Sequence, residues 1–86
     1  MLSSIDELFK CDRTLDRINI AHQIIEALDT SEEDFGTTER LVRHHFINII
    51  KAYAVSQNKK QKQMIAGFSH FYQKNYPAVA KRPDAA

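Results

Sequence analysis

Residues 37–57 read TTERLVRHHFINIIKAYAVSQ, the longest uninterrupted helical pattern in the chain. At about 3.6 residues per turn, Val42, Phe46, Ile49, Ile50 and Tyr53 fall on one side. Leu41, Ala52 and Val55 widen that side in one direction, and Ile47 and Ala54 widen it in the other. The polar strip left over is narrow and carries Arg40, His44, Asn48 and Lys51. A helix apolar over more than half its circumference needs neighbours on several sides, so it is expected to be the central post of a small helical bundle.

The flanking segments read as its neighbours. Ser4 followed three residues later by Glu7 has the pattern of a capping box, predicting a short helix over about residues 4–10. Ile5 and Phe9 are out of phase with the later stripe of Leu15, Ile18, Ala21, Ile25 and Leu28. A bend near Cys11 to Arg13 is therefore expected, with Asp12 or Thr14 capping a second helix over about residues 13–28 and with Leu8 and Phe9 folded back onto the core. In this register His22 lies inside the stripe and Ile20 off it. The acidic connector DTSEEDFG offers a turn at Thr30 to Glu33, Phe35 as an anchor and Gly36 as a positive-φ position. Thr37 or Thr38 is expected to cap the central helix.

After Val55 the polar stretch SQNKKQKQ leads into a last amphipathic helix over about residues 60–76, with Met64, Ile65, Phe68, Phe71, Tyr72 and Tyr76 on one face. Gly67 inside it suggests a close backbone approach, and Pro77 ends it. The predicted fold is all-α: three longer helices plus a short N-terminal one, forming a single domain over residues 1–86 with residues 77–86 as a frayed tail.

A chain of 86 residues holds one modest core and leaves no room for a separate nucleotide-binding domain. No apolar run is long enough to span a bilayer, and MLSSIDELFK has acids where a signal peptide needs a basic region, so no membrane association is expected. The single cysteine, Cys11, cannot close an internal disulfide, which points to a cytoplasmic location. The net charge of +1 conceals a division: residues 1–36 carry −6 and residues 37–86 carry +7. The halves are expected to attract each other within the fold or across a dimer, or the basic half to meet an acidic partner.

Catalytic constellations are not apparent. His44 and His45 are adjacent and point about 100° apart on a helix, so they do not share one ion. His22 and Glu26, one turn apart, suit a hydrogen-bonded pair better than a metal site, and no base is fixed beside Cys11. No glycine-rich loop is present to hold phosphates. No metal, no cofactor and no independent enzymatic turnover are expected.

Three functional readings remain. The segment Arg43-His44-His45-Phe46-Ile47-Asn48-Ile49-Ile50 resembles the phosphoacceptor helix of a histidine-kinase subgroup, the peptide-sensing quorum kinases and the related sporulation phosphotransferase, whose motif reads Arg-His-Asp-aromatic-x-Asn-x-aliphatic. The resemblance implies a phosphotransfer role in which His44 takes the phosphoryl group and Asn48, one turn on, steadies its oxygens. His45 stands where that group carries an acid. The lysine-rich turn supports a second reading, nucleic-acid binding, with Lys59, Lys60, Lys62 and Lys74 neutralising phosphates. The third and preferred reading is a regulatory or adaptor protein that binds another protein and pairs as a homodimer. Its candidate contact residues are Ile20 and Ile47, which lie off their main stripes, together with Arg40, His44 and Lys51 of the polar strip.

Overall fold

The computed structural model describes residues 2–29 and 36–77, and there the chain is all-helical. Helix α1 spans Leu2–Lys10, α2 Thr14–Asp29, α3 Thr37–Ser56 and α4 Lys59–Asn75. The molecule measures 34 × 27 × 17 Å, so it is about two helix layers thick. Helix α3 packs against both α2 and α4, and α1 closes the bundle against α2 and α4. Among the described residues no helix is long and apolar enough to cross a membrane.

The central position of α3 follows from its side chains. Phe46, Ile47, Ile49, Ile50, Tyr53 and Ala54 are all buried. Phe46 stacks on Phe68 at 4.9 Å between centroids and on Tyr72 at 5.6 Å, which seats α4. Phe9 meets Tyr53 edge-on at 5.7 Å, and Leu8 is fully buried, so α1 does fold back onto the core after a break at Cys11–Arg13. Met1, the connector residues 30–35 and the tail residues 78–86 lie outside the described residues, and with them the expected turn at Thr30 to Glu33, the Phe35 anchor and the frayed end.

Several local expectations are corrected. Helix α1 starts at Leu2, and Ser4 is a buried residue inside it rather than its cap. Gly36 is the N-cap of α3 with φ −74° and ψ −177°, an extended conformation and not a positive-φ one, and no side chain caps that end. Gly67 does not receive a neighbouring backbone, since a Cβ added there would meet nothing within 4 Å. The stripe of α2 is rotated. Its buried residues are Arg17, Ala21, Ile24, Ala27 and Leu28, while Leu15 is 77% exposed, His22 is exposed, and Ile18 and Ile25 are half-buried.

The rotation has a polar cause. Arg17 is 3% exposed and its guanidinium bonds to the Ala54 carbonyl, the Cys11 carbonyl and the Thr14 hydroxyl. Arg43 of α3, also buried, donates to Asp29 at the end of α2 at 2.8 Å. Two arginines thus clamp α2 to α3 near opposite ends of their contact. A stripe drawn from apolar residues alone overlooks both.

Helices α3 and α4 form a tight hairpin. Gln57 ends α3 in the left-handed region at φ 51°, and its backbone N–H donates to the Tyr53 carbonyl. Asn58 then caps α4, its side-chain oxygen accepting from the N–H groups of Lys60 and Gln61 at 2.9 and 3.2 Å. Pairings of Ser56 with Gln61, His45 with Phe68 and Phe46 with Tyr72 show that the two helices run antiparallel.

Candidate functional site

The antiparallel α3–α4 hairpin buries one face of α4 through Ile65 and Tyr72. The next face outward carries Met64, Gly67, Phe68 and Phe71. Opposite them α3 presents Val42, and these five residues line an open groove of about 400 Å³. The groove exists because Gly67 sits in the middle of the hairpin with empty space where a side chain would stand. Every lining residue is apolar. Of these, Met64 and Phe71 are 41% and 36% exposed.

The groove is firmly walled. Phe68 packs flat on Phe46 and receives the edge of His45 at 5.8 Å. Phe71 meets Tyr72 edge-on at 5.6 Å and lies 5.9 Å from Tyr76. Burial pushes the Tyr72 hydroxyl up to about 12, with the nearby Arg43 charge opposing the shift and Tyr76 adding to it. The Tyr76 hydroxyl is also raised, by desolvation first and then by the Glu39 carboxylate that accepts its hydrogen bond, and this contact ties the end of α4 to the start of α3.

The residues singled out from sequence are scattered relative to this groove. Arg40, His44, Asn48 and Lys51 are all exposed along one strip of α3, as the helical repeat requires. Lys51 also lines a second, smaller groove between α2 and α3, with His22, Ile18, Ile25 and Val55. Ile47 corrects the expectation of an exposed contact residue: it is 7% exposed and belongs to the core. Ile20 is half-buried and packs against that core. Lys59 and Lys60 are exposed in the first turn of α4 and Lys74 in its last, while the Lys62 ammonium lies over the Phe9 ring at 5.2 Å from its centroid. Among the described residues no group of three or more His, Cys, Asp and Glu side chains is placed to hold a metal ion.

The helical pattern places Met64 and Phe71 on the core face of α4, yet the core leaves both partly uncovered. The signal in the sequence was the width of that face. Six large apolar residues from Met64 to Tyr76 span more of the helix than one packed neighbour covers, and a glycine lies among them. In comparison with known proteins, no family model, no curated protein and no solved structure matches this chain.

Proposed function

We propose that the chain is a non-enzymatic regulatory or adaptor protein that acts by binding another protein through the α3–α4 groove. The observation that supports this reading is the open apolar groove lined by Val42, Met64, Gly67, Phe68 and Phe71, of which Met64 and Phe71 are exposed. Large side chains of this kind ordinarily fill a core, and here Met64 and Phe71 stay outside it, while Phe46, Ile50, Ile65 and Tyr72 fill it with Phe68 packed against them. An apolar groove with aromatic residues and methionine in it has the composition of a contact patch.

The reading is tested with Gly67→Leu. A Cβ at this position meets nothing within 4 Å, so the longer side chain is launched into the groove from a point clear of the core. Affinity capture from the source cell is compared for the wild-type chain and the variant, with and without nuclease. The expected result is a protein that the wild type retains after nuclease and that Gly67→Leu loses, with unchanged circular dichroism of the variant. Capture that survives Gly67→Leu, or that nuclease abolishes, overturns the reading.

A further inference from the structure

We infer that the occupant of this groove is an amphipathic helix with acidic flanks, carried by another protein. The inference rests on the groove reading above and adds the chemistry of the partner. The shape of the groove suits a helix. Met64, Gly67 and Phe71 follow one another at helical spacings of three and four residues, so the floor is a straight trough along α4, bordered on α3 by Val42. It is recessed at its middle, where Gly67 has no side chain. A single ridge of side chains spaced i, i+3 or i+4, i+7 on an incoming helix has the form that fills such a trough.

The charge around it suits acidic flanks. Helix α4 carries four lysines and no acidic residue. Lys60 precedes Met64 by four residues and Lys74 follows Phe71 by three, so the helical repeat puts both in line with the trough, one at each end. Both are exposed. They are fourteen residues apart, roughly 21 Å along the axis. On the α3 side one acid, Glu39, faces the Tyr76 hydroxyl near the Lys74 end, and His45 stands edge-on to Phe68. An apolar floor with an exposed lysine in line beyond each end, on a helix that carries no acid, is the complement of a helix of about four turns with apolar residues at its centre and carboxylates near its ends.

Other partners match less well. A nucleic acid needs polar groups along its path, and the groove lining has none. A membrane surface receives apolar side chains that protrude, whereas this floor is recessed, and Lys62 is turned away onto Phe9. Protein charge complementarity of this kind mainly sets partner choice and association rate, so the ends of the groove determine which helix binds and its floor how long it stays.

The test is selection from a display library of helical peptides about four turns long, randomised in sequence and screened against the full chain. The expected winners carry apolar residues at i, i+3 or i+4 and i+7 with Asp or Glu toward their ends. Their binding weakens with added salt, falls about tenfold in the double variant Lys60→Glu/Lys74→Glu, and is lost in Gly67→Leu, with both variants folded by circular dichroism. Winners that depend on Gly67 but are basic or uncharged, and indifferent to the lysine reversals, overturn the inference and leave the groove reading standing. The inference is likewise overturned if Gly67-dependent binding is found only to phosphatidylserine vesicles or, by sedimentation, only to a second copy of the chain. Failure to select any peptide overturns the inference, and winners unaffected by Gly67→Leu overturn both readings.

Discussion

The Arg17 Nε donates a hydrogen bond of 2.9 Å to the carbonyl of Ala54, joining the first turn of α2 to the last turn of α3. That carbonyl is one of the four at a helix C-terminus that have no partner within the helix, so a buried guanidinium there satisfies an acceptor and meets the negative end of the helix dipole together. Its other nitrogens hold the Cys11 carbonyl at 3.2 Å and the Thr14 hydroxyl at 3.0 Å, which fixes the bend between α1 and α2. Arg17→Met is therefore expected to cost about 2–4 kcal/mol, read as a fall in the urea midpoint. Arg17→Lys is expected to recover less than half of that, since an ammonium lacks the planar fork. A lysine variant as stable as wild type would contradict the assignment.

Gln57 bears the only positive φ among the described non-glycine residues, 51°. A Cβ in the left-handed region is strained, and glycine removes the strain at the position where helices most often use it. The single side-chain bond at stake is the exposed Gln57 Nε2 contact to the Cys11 carbonyl, at a long 3.3 Å. Gln57→Gly is expected to stabilise the chain by about 0.5–1 kcal/mol. Differential scanning calorimetry would show the melting temperature rising by roughly 2–8 °C.

Gly67 is the converse case. It lies inside α4, where glycine weakens a helix, and its Cβ position is empty. Gly67→Ala is expected to raise stability by about 0.5–1 kcal/mol. Guanidinium unfolding checks this, and a loss of stability would show that the space beside Gly67 is needed by the fold itself. A gain means that the glycine lowers stability while keeping the groove open.

Ile47 separates core from surface on α3. At 7% exposure it packs within the bundle, so Ile47→Asp buries an unpaired carboxylate and is expected to cost about 4 kcal/mol or more, a large part of the stability of a domain this size. Lys51→Gln, on the exposed strip one turn on, is expected to change stability by less than about 0.5 kcal/mol. Far-ultraviolet circular dichroism during thermal melting distinguishes them. Equal melting temperatures would restore Ile47 as a surface residue.

How much of this was legible in the sequence depended on which force set each feature. The helices, the central place of α3, the bend after Lys10 and the return of Leu8 and Phe9 follow from apolar periodicity, which burial enforces. Arg17 and Arg43 were not legible because a charged side chain reads as surface until the carbonyls and carboxylate that satisfy it are known, and those lie on other helices or across a bend. The capping choices at Ser4 and Thr37 failed for a related reason: local hydroxyl patterns compete weakly with the burial of a helix face. Of the candidate site, the polar strip of α3 was read correctly as exposed. The groove was not foreseen, since periodicity shows that Met64 and Phe71 share a face with Ile65 and Tyr72 but not where the neighbouring helix stops covering it.

Tyr72 gives the fold a pH dependence whose sign can be stated. Its residue is buried against Phe46, and desolvation raises the hydroxyl from the ordinary 10.0 to about 12, against the opposing pull of Arg43. The folded chain thus keeps a proton that the unfolded chain releases once the pH passes 10.0. The contribution is complete below that value, because both states are then protonated, and it declines as the pH rises from 10.0 toward about 12. Urea unfolding at about pH 9 and about pH 11 is expected to show a larger loss of stability for wild type than for Tyr72→Phe, which preserves the ring and deletes the titrating group. The two chains differ only in that hydroxyl, so the difference between their losses reports on it and on its coupling to Tyr76. An equal loss in the two chains would mean that the hydroxyl reaches water in the folded state, and would place the wall of the α3–α4 groove in a wetter setting than its stacked rings imply.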